Sequence, residues 1–252
     1  MPKEKIAISI SSDLLAAVDS VVETSRYPSR SQAMEALLRK AISPRIEEAV
    51  IMLSSAHVPL ATKDVGKQCL LSQQLSLLAR AGVKRAIIAV EKGSDTSPAL
   101  EEISKGQDKH WPDCMVREIA SKGTADAIRM VGDALEGPFL ALSGDLSCEE
   151  DLAKLAANHL TSGRLATVGL STSKQTERMG VAVVEGDMVV EFVEKPKAAG
   201  SLVVNSGIYA FSPEALPFFS GCRSLEREVL PRLAEVGQLH AYFLKHMPTH
   251  HG

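Results

Sequence analysis

Four short segments of this sequence place polar residues where their surroundings are apolar. The first is Glu194-Lys195-Pro196, directly after the apolar run Met188–Val193. Proline cannot donate to a strand ladder, so the run ends there with an acid and a base at its tip. The second is Asn205 and Gly207, set inside the otherwise apolar run Leu202–Phe211. An amide and a glycine in one strand, beside a charged pair at the end of another, describe the wall of a pocket for a polar ligand. The third, Gly144-Asp145, follows the apolar run Pro138–Leu142, and the fourth, Gly123-Thr124, opens a helical pattern over Thr124–Leu135. Taken singly, each is equally an ordinary turn, glycine bulge or helix start.

The elements that must hold these residues follow from periodicity. Val181–Val184 and Met188–Val193 flank the turn Glu185-Gly186-Asp187, a β-hairpin pattern. Upstream, strand patterns at Ala49–Leu53, Lys84–Val90, Cys114–Ile119 and Pro138–Leu142 alternate with helix patterns at Gln68–Ala81, Ser97–Ser104 and Thr124–Leu135. That alternation predicts an α/β fold with a doubly wound, mostly parallel sheet. Ligands of such sheets bind beyond the carboxyl ends of the strands, where Gly123, Thr124, Gly144 and Asp145 fall. Downstream, Ser224–Val236 predicts an amphipathic helix with Leu225, Val229, Leu230 and Leu233 inward and Glu226 and Arg232 on its solvated face. Leu239–Leu244 predicts the last strand, and His246, His250 and His251 fall in a tail read as frayed.

The first 43 residues have a different organisation. Ile6, Ile8 and Ile10 alternate with Lys5, Ala7 and Ser9, predicting one short strand, and two helices follow, the second capped by Ser29 or Ser31. A strand and two helices of this size cannot close a core alone, so pairing with a second copy is predicted. The domain organisation expected is thus 1–43, a polar linker at 44–48, and 49–252.

Composition sets the outer limits. The 252 residues are 45% hydrophobic and 23% charged, ordinary for a globular protein. No apolar run has the roughly 20 residues a membrane helix needs. The N-terminus carries no signal-peptide pattern, and the four cysteines are widely spaced, so a cytoplasmic protein with free thiols is expected. Net charge is −3, divided as +2 over residues 1–45 and −5 over the rest, which makes the body a poor polyanion binder.

Residues 49–243 resemble the sugar-1-phosphate nucleotidyltransferases. Gly180, Glu194-Lys195-Pro196, Asn205, Gly207 and Tyr209 fit that family's "yGvv…EKP…NaGiY.f" pattern, "KGTADAI" resembles its GTA segment, and "LSGDL" its GD segment. The resemblance implies that Glu194 and Asn205 bind sugar hydroxyls, Lys195 the phosphate, and Gly180 and Gly207 line the sugar site. It further implies that Gly123 and Thr124 meet the nucleotide base, Asp145 holds Mg²⁺, and Lys67 in "TKDVGKQCLL" sits at the activating-lysine position. Residues 1–43 resemble the ribbon-helix-helix DNA-binding family, which implies that Lys5, Ala7 and Ser9 read base edges of double-stranded DNA while Ser29, Arg30 and Ser31 hold a phosphate.

The body departs from its family in two places. The glycine-rich GGxGTRxxP loop is replaced by Ser54-Ser55-Ala56-His57-Val58-Pro59, without the glycine pair and the arginine. The family's second metal-binding aspartate, after the last strand, has no counterpart in KHMPTHHG. Loss of several electrostatic parts together favours a DNA-binding regulator whose catalytically degenerate body binds a sugar phosphate, nucleotide or nucleotide sugar as effector. On that reading no cofactor is required, Mg²⁺ binds only with nucleotide, and the protein is a homodimer or a dimer of dimers. The alternative is a divergent active enzyme using Lys67, Asp145 and Lys195.

Overall fold

The computed structural model describes residues 8–24, 29–42, 45–65, 68–106, 110–198 and 200–251. The chain forms two compact units, Met1–Pro44 and Arg45–Gly252.

In the first unit, α1 (Ser12–Thr24) and α2 (Arg30–Ile42) bury Val18 and Ala33, while Ile8, Leu14 and Leu38 stay more than half exposed. Two helices have too little surface to cover every apolar side chain. Residues 8–10 are not in a strand, and Ser9 is exposed. The strand expected from Lys5 onward falls partly outside the described residues. Lys5 and Ala7 lie outside them. Ser29 Oγ accepts from the Gln32 N–H (3.3 Å), which caps α2. Arg30 Nε and Nη2 bind both oxygens of Asp19 (2.5 and 2.7 Å), so its charge is directed at α1. Ser31 is exposed.

The second unit begins with β1 (Glu48–Leu53), α3 (His57–Ala61), β2 (Asp64–Val65) and β3 (Gln68–Cys69). It continues with α4 (Leu70–Ala81), β4 (Arg85–Glu91), α5 (Ser97–Ser104), β5 (Asp113–Ile119), α6 (Thr124–Val131) and β6 (Phe139–Ser143). Next come β7 (Leu146–Ser147), α7 (Leu152–Ser162), β8 (Ala166–Thr172), β9 (Gly180–Glu185), β10 (Met188–Glu194) and β11 (Val203–Phe211). A π-helical turn, Leu225–Val229, leads into α8 (Leu230–Glu235), β12 (Leu239–Phe243) and β13 (Thr249–His250).

Nine of these strands form one sheet in the order β5-β4-β1-β6-β11-β8-β12-β10-β9. The β5-β4-β1-β6 half is parallel, since helices connect its strands. β11 enters antiparallel to both β6 and β8, and β9 and β10 form an antiparallel hairpin across the Glu185–Met188 turn. The sheet is therefore mixed: its first half is parallel as expected, while in the second half only the β8–β12 pair is parallel. β1 is buried along its whole length because both faces are covered. Val50 and Met52 pack with Phe139, Phe211 and Phe219 on one face. Ile51 and Leu53 pack with Leu75, Leu142 and Leu155 on the other. No helix of the described residues is long and apolar enough to cross a membrane.

Candidate active site

β1 and β6 end side by side, with Met52 opposite Ser143. The chain then turns so tightly that the Gly144 N–H donates to the Met52 carbonyl (2.9 Å). A Cβ on Gly144 would lie 2.8 Å from that oxygen and 2.1 Å from Leu53 Cδ2, so only glycine fits. This turn delivers Asp145, 7% exposed, to the carboxyl end of the sheet. Its Oδ1 accepts from Ser143 Oγ (2.5 Å), and its Oδ2 lies 3.3 Å from His250 Nδ1. Burial alone would raise the Asp145 pKa. The hydrogen bonds from His250 and Ser143 and the charges of His250 and His57 outweigh burial and hold it well below the usual carboxylate range.

His250 arrives there because the C-terminal segment is not frayed, which corrects the sequence expectation. β13 pairs antiparallel with β7, with His250 opposite Leu146 and Thr249 opposite Ser147. The His251 N–H donates to the Asp145 carbonyl (2.9 Å), and its Nε2 lies 2.9 Å from Ser147 Oγ. The His246 N–H donates to Glu150 Oε1 (2.7 Å). What closely approaches Gly207, at φ +78°, is the same histidine: a Cβ there would lie 3.0 Å from His250 Cε1.

A second set of contacts joins the remaining residues. Asn205 Nδ2 donates to the Tyr209 hydroxyl (2.7 Å), and its Oδ1 accepts from the Gly207 N–H (3.1 Å). The Tyr209 hydroxyl donates to Glu226 Oε1 (3.3 Å), whose Oε2 accepts from Thr124 Oγ1 (3.0 Å). Glu226, expected on a solvated helix face, is thus an inward-facing hub. Gly180 stands opposite Glu194 at the rim of the hairpin. Glu194 is raised in pKa by burial first and by Glu226 second, with Lys195 and Arg227 acting the other way. Lys195, at φ +50°, is held by its N–H to the Met179 carbonyl and reaches 3.8 Å from Glu194 Oε1 with its side chain half-exposed.

Between β1, β4 and the start of α6 opens a cleft of about 290 Å³, lined by Ser54, His57, Glu91, Lys122, Gly123 and Thr124 among others. The loop after β1 closes on itself: Ser55 N–H donates to Glu91 Oε2 (2.8 Å), and His57 and Val58 N–H both donate to the Ser54 carbonyl. Contacts therefore link Gly123, Thr124, Asn205, Gly207 and Asp145 from three separate segments, with Gly180, Glu194 and Lys195 beside them. Lys67 lies outside the described residues. Sequence reasoning missed Glu226, Lys122, and His250 as a partner of Asp145. Lys122 directly precedes the GTA segment, a signal that was available. Among the described residues no cluster of three or more His, Cys, Asp or Glu is placed to hold a metal. Asp145 Oδ2 is paired with the His250 ring, and its carboxylate is the group there that could hold a cation beside phosphate oxygens and water.

Residues 52–247 match the nucleotidyl transferase family, and the chain belongs to it. It is 31% identical over 196 residues to the mannose-1-phosphate guanylyltransferase catalytic subunit beta of Xenopus tropicalis, covering 75% of this chain and 54% of that protein. It is 27% identical over 197 residues to the mannose-1-phosphate guanyltransferase of Saccharomyces cerevisiae, covering 75% and 54%. The chain spans about half the length of the curated relatives it matches. A Bacillus anthracis protein described as a glucose-1-phosphate thymidylyltransferase, solved with sucrose, superposes with a TM-score of 0.70 over 81% of this chain and 89% of that one, at 17% identity. That likeness shows the fold. The reading of a DNA-binding regulator with a degenerate catalytic body does not stand. The relatives over three quarters of the chain are named as transferases.

Proposed function

We propose that this protein is a sugar-1-phosphate nucleotidyltransferase, with mannose-1-phosphate and GTP as its substrates. The observation that carries the reading is the meeting of the GTA, GD, EKP and NSGIY segments at one end of one sheet. In the reaction proposed, a phosphate oxygen of the sugar-1-phosphate bonds to the α-phosphorus of the nucleotide. The bond from that phosphorus to the β-phosphate oxygen breaks, and pyrophosphate leaves.

Glu194 and Asn205 orient the sugar through its hydroxyls. Lys195, half-exposed on the strand tip, takes the sugar phosphate as a point charge. Lys122, lining the cleft, supplies positive charge in place of the missing loop arginine. Asp145 would hold Mg²⁺, which when bound neutralises charge on the phosphates. Glu226 holds Thr124 and Tyr209 in register, so the nucleotide and sugar ends are positioned by one carboxylate.

The test is pyrophosphate release by the purified protein with GTP, mannose-1-phosphate and a divalent cation. Asp145→Asn is expected to lower kcat by about 10²-fold or more, the scale set by losing one electrostatic contact to the transition state. Absence of pyrophosphate with every NTP and sugar-1-phosphate pair would overturn the reading.

A further inference from the structure

We infer that Gln74 is a positioning residue: from inside the core, its amide holds the Ser143–Leu146 turn in the shape that brings Asp145 to the cleft. Its effect on rate rests on the transferase reading; its hold on the turn does not.

The first argument is where the amide lies. Gln74 sits in the middle of α4 and is 1% exposed. Its helix neighbours Leu71, Leu75 and Leu78 pack with Ile51, Leu142 and Leu146 in one apolar cluster. A glutamine buried there gives up its hydration, which a methionine of similar volume would not have to do. Packing alone does not call for an amide at this position.

The second argument is what the amide bonds. Nε2 donates to the Ser143 carbonyl (2.9 Å) and to the Leu146 carbonyl (2.7 Å). Those two oxygens flank Gly144 and Asp145, 69 and 72 residues from Gln74 in sequence. Two carbonyls require two N–H donors, so the nitrogen and not the oxygen of the amide must face the turn. Oε1 is then left buried with no hydrogen-bond partner among the described residues. An orphaned buried acceptor lowers stability. The core therefore carries an unfavourable group whose one visible effect is to clasp both ends of the turn.

The third argument is that the other bonds of the turn leave this part undone. The Gly144 N–H to the Met52 carbonyl fastens the turn to β1, and Ser143 Oγ fixes the Asp145 carboxylate. Gln74 fixes the carbonyls on either side, which set where the Asp145 backbone stands. A reacting group displaced by about 1 Å can lose on the order of 10²-fold in rate. Glu194 and Asn205, which face the sugar, stand on β10 and β11. Loss of the amide therefore strikes the rate and spares sugar binding.

The experiment uses the full chain and two variants. Gln74→Met keeps the volume and removes both donors. Gln74→Glu keeps the shape, and its buried carboxyl offers one donor only when protonated. With GTP, mannose-1-phosphate and a divalent cation, Gln74→Met is expected to lower kcat by about tenfold or more, with KM for mannose-1-phosphate within about twofold of the wild type. By nuclear magnetic resonance, deuterium exchange at the Gly144 amide should be about tenfold faster in this variant, with the amides of β4 unchanged. The kcat of Gln74→Glu relative to the wild type should rise about threefold or more from pH 8.5 to pH 6.5, as the carboxyl gains its proton and recovers one bond. The same ratio for Gln74→Met should be flat. Unchanged kcat and Gly144 exchange in Gln74→Met would sink the inference. So would equal damage to kcat and KM, or faster exchange along β4 and the turn alike, since either makes Gln74 an ordinary core residue. Should Gln74→Met not fold, the pH dependence of Gln74→Glu decides, and a flat ratio there counts against the clasp. If the wild type releases no pyrophosphate with any substrate pair, the transferase reading falls, and Gly144 exchange alone decides whether Gln74 holds the turn.

Discussion

Glu194 shows how the site and the stability of the fold pull in opposite directions. Its folded-state pKa is raised by burial and by Glu226, so the charged form is less favourable in the folded protein than in the unfolded chain. Stability is therefore lost as pH climbs from the ordinary glutamate value of 4.5 through the raised one. Glu194→Gln is expected to raise the melting temperature at pH 8, a gain of about 0.5–2 kcal/mol being typical when an unfavourable functional group is neutralised. The gain should vanish by pH 4, where both forms are uncharged. KM for the sugar phosphate should rise at least tenfold in the same variant. A melting difference that is flat between pH 4 and pH 8 would show that the carboxylate is not desolvated. The EKP and NSGIY residues were legible because their chemistry is written in residue type. Glu226 was not. The spacing of Leu225, Val229, Leu230 and Leu233 implies a regular 3.6-residue period, which turns Glu226 outward. The π-helical turn at Leu225–Val229 inserts an extra residue per turn and swings it to Tyr209 and Thr124.

At the scale of elements, the start of α6 is fastened to the segment before α8. The Ala125 N–H donates to the Arg223 carbonyl (2.9 Å), and the Leu225 N–H donates to Thr124 Oγ1 (2.9 Å). Gly123 makes this possible: a Cβ would stand 2.4 Å from the Arg223 oxygen. Gly123→Ala is expected to push the two segments apart and cost about 2–4 kcal/mol, in the range of overpacking against backbone. That corresponds to a melting point lower by about 4–16 °C for a chain of this length. Because Glu226 moves with the strap, KM should rise for nucleotide and sugar phosphate together. Gly137→Ala, where nothing stands within 4 Å of the added carbon, is the control and should change neither. A Gly123→Ala protein with unchanged melting point and both KM values unchanged would refute the strap. This fastening links residues about 100 apart in sequence, a separation that local periodicity does not report. β13 escaped notice for a related reason. Its two residues are too few to show alternation, and only pairing with β7 makes them a strand.

At the scale of the whole molecule, the alternating strands and helices of residues 49–142 were legible because each spans several turns or pleats. The order in which β11, β8 and β12 join was not, since long-range pairing is set by which hydrophobic faces meet. Where that second half of the sheet meets α7, the fold buries a titratable group. His159 lies 2.9 Å from Thr167 Oγ1 on β8 and 3.1 Å from Ser212 Oγ beyond β11. Burial first, and His240 second, push its pKa down to about 4 from the ordinary 6.5. The unfolded chain therefore binds this proton more readily than the folded one, and stability falls as pH drops from 6.5 toward 4. The full effect is about 3 kcal/mol by linkage. His159→Gln removes the proton site at the price of one imperfect fit between α7 and β8. Its melting point should lie below the wild type at pH 7.5, and the gap should close or reverse at pH 4.5. Were the gap the same at both values, acid loss of stability would have to be assigned to other groups, and His159 would be a neutral packing residue at every pH. Its position argues against that: an imidazole buried between α7 and β8 takes up charge less readily than one in the unfolded chain.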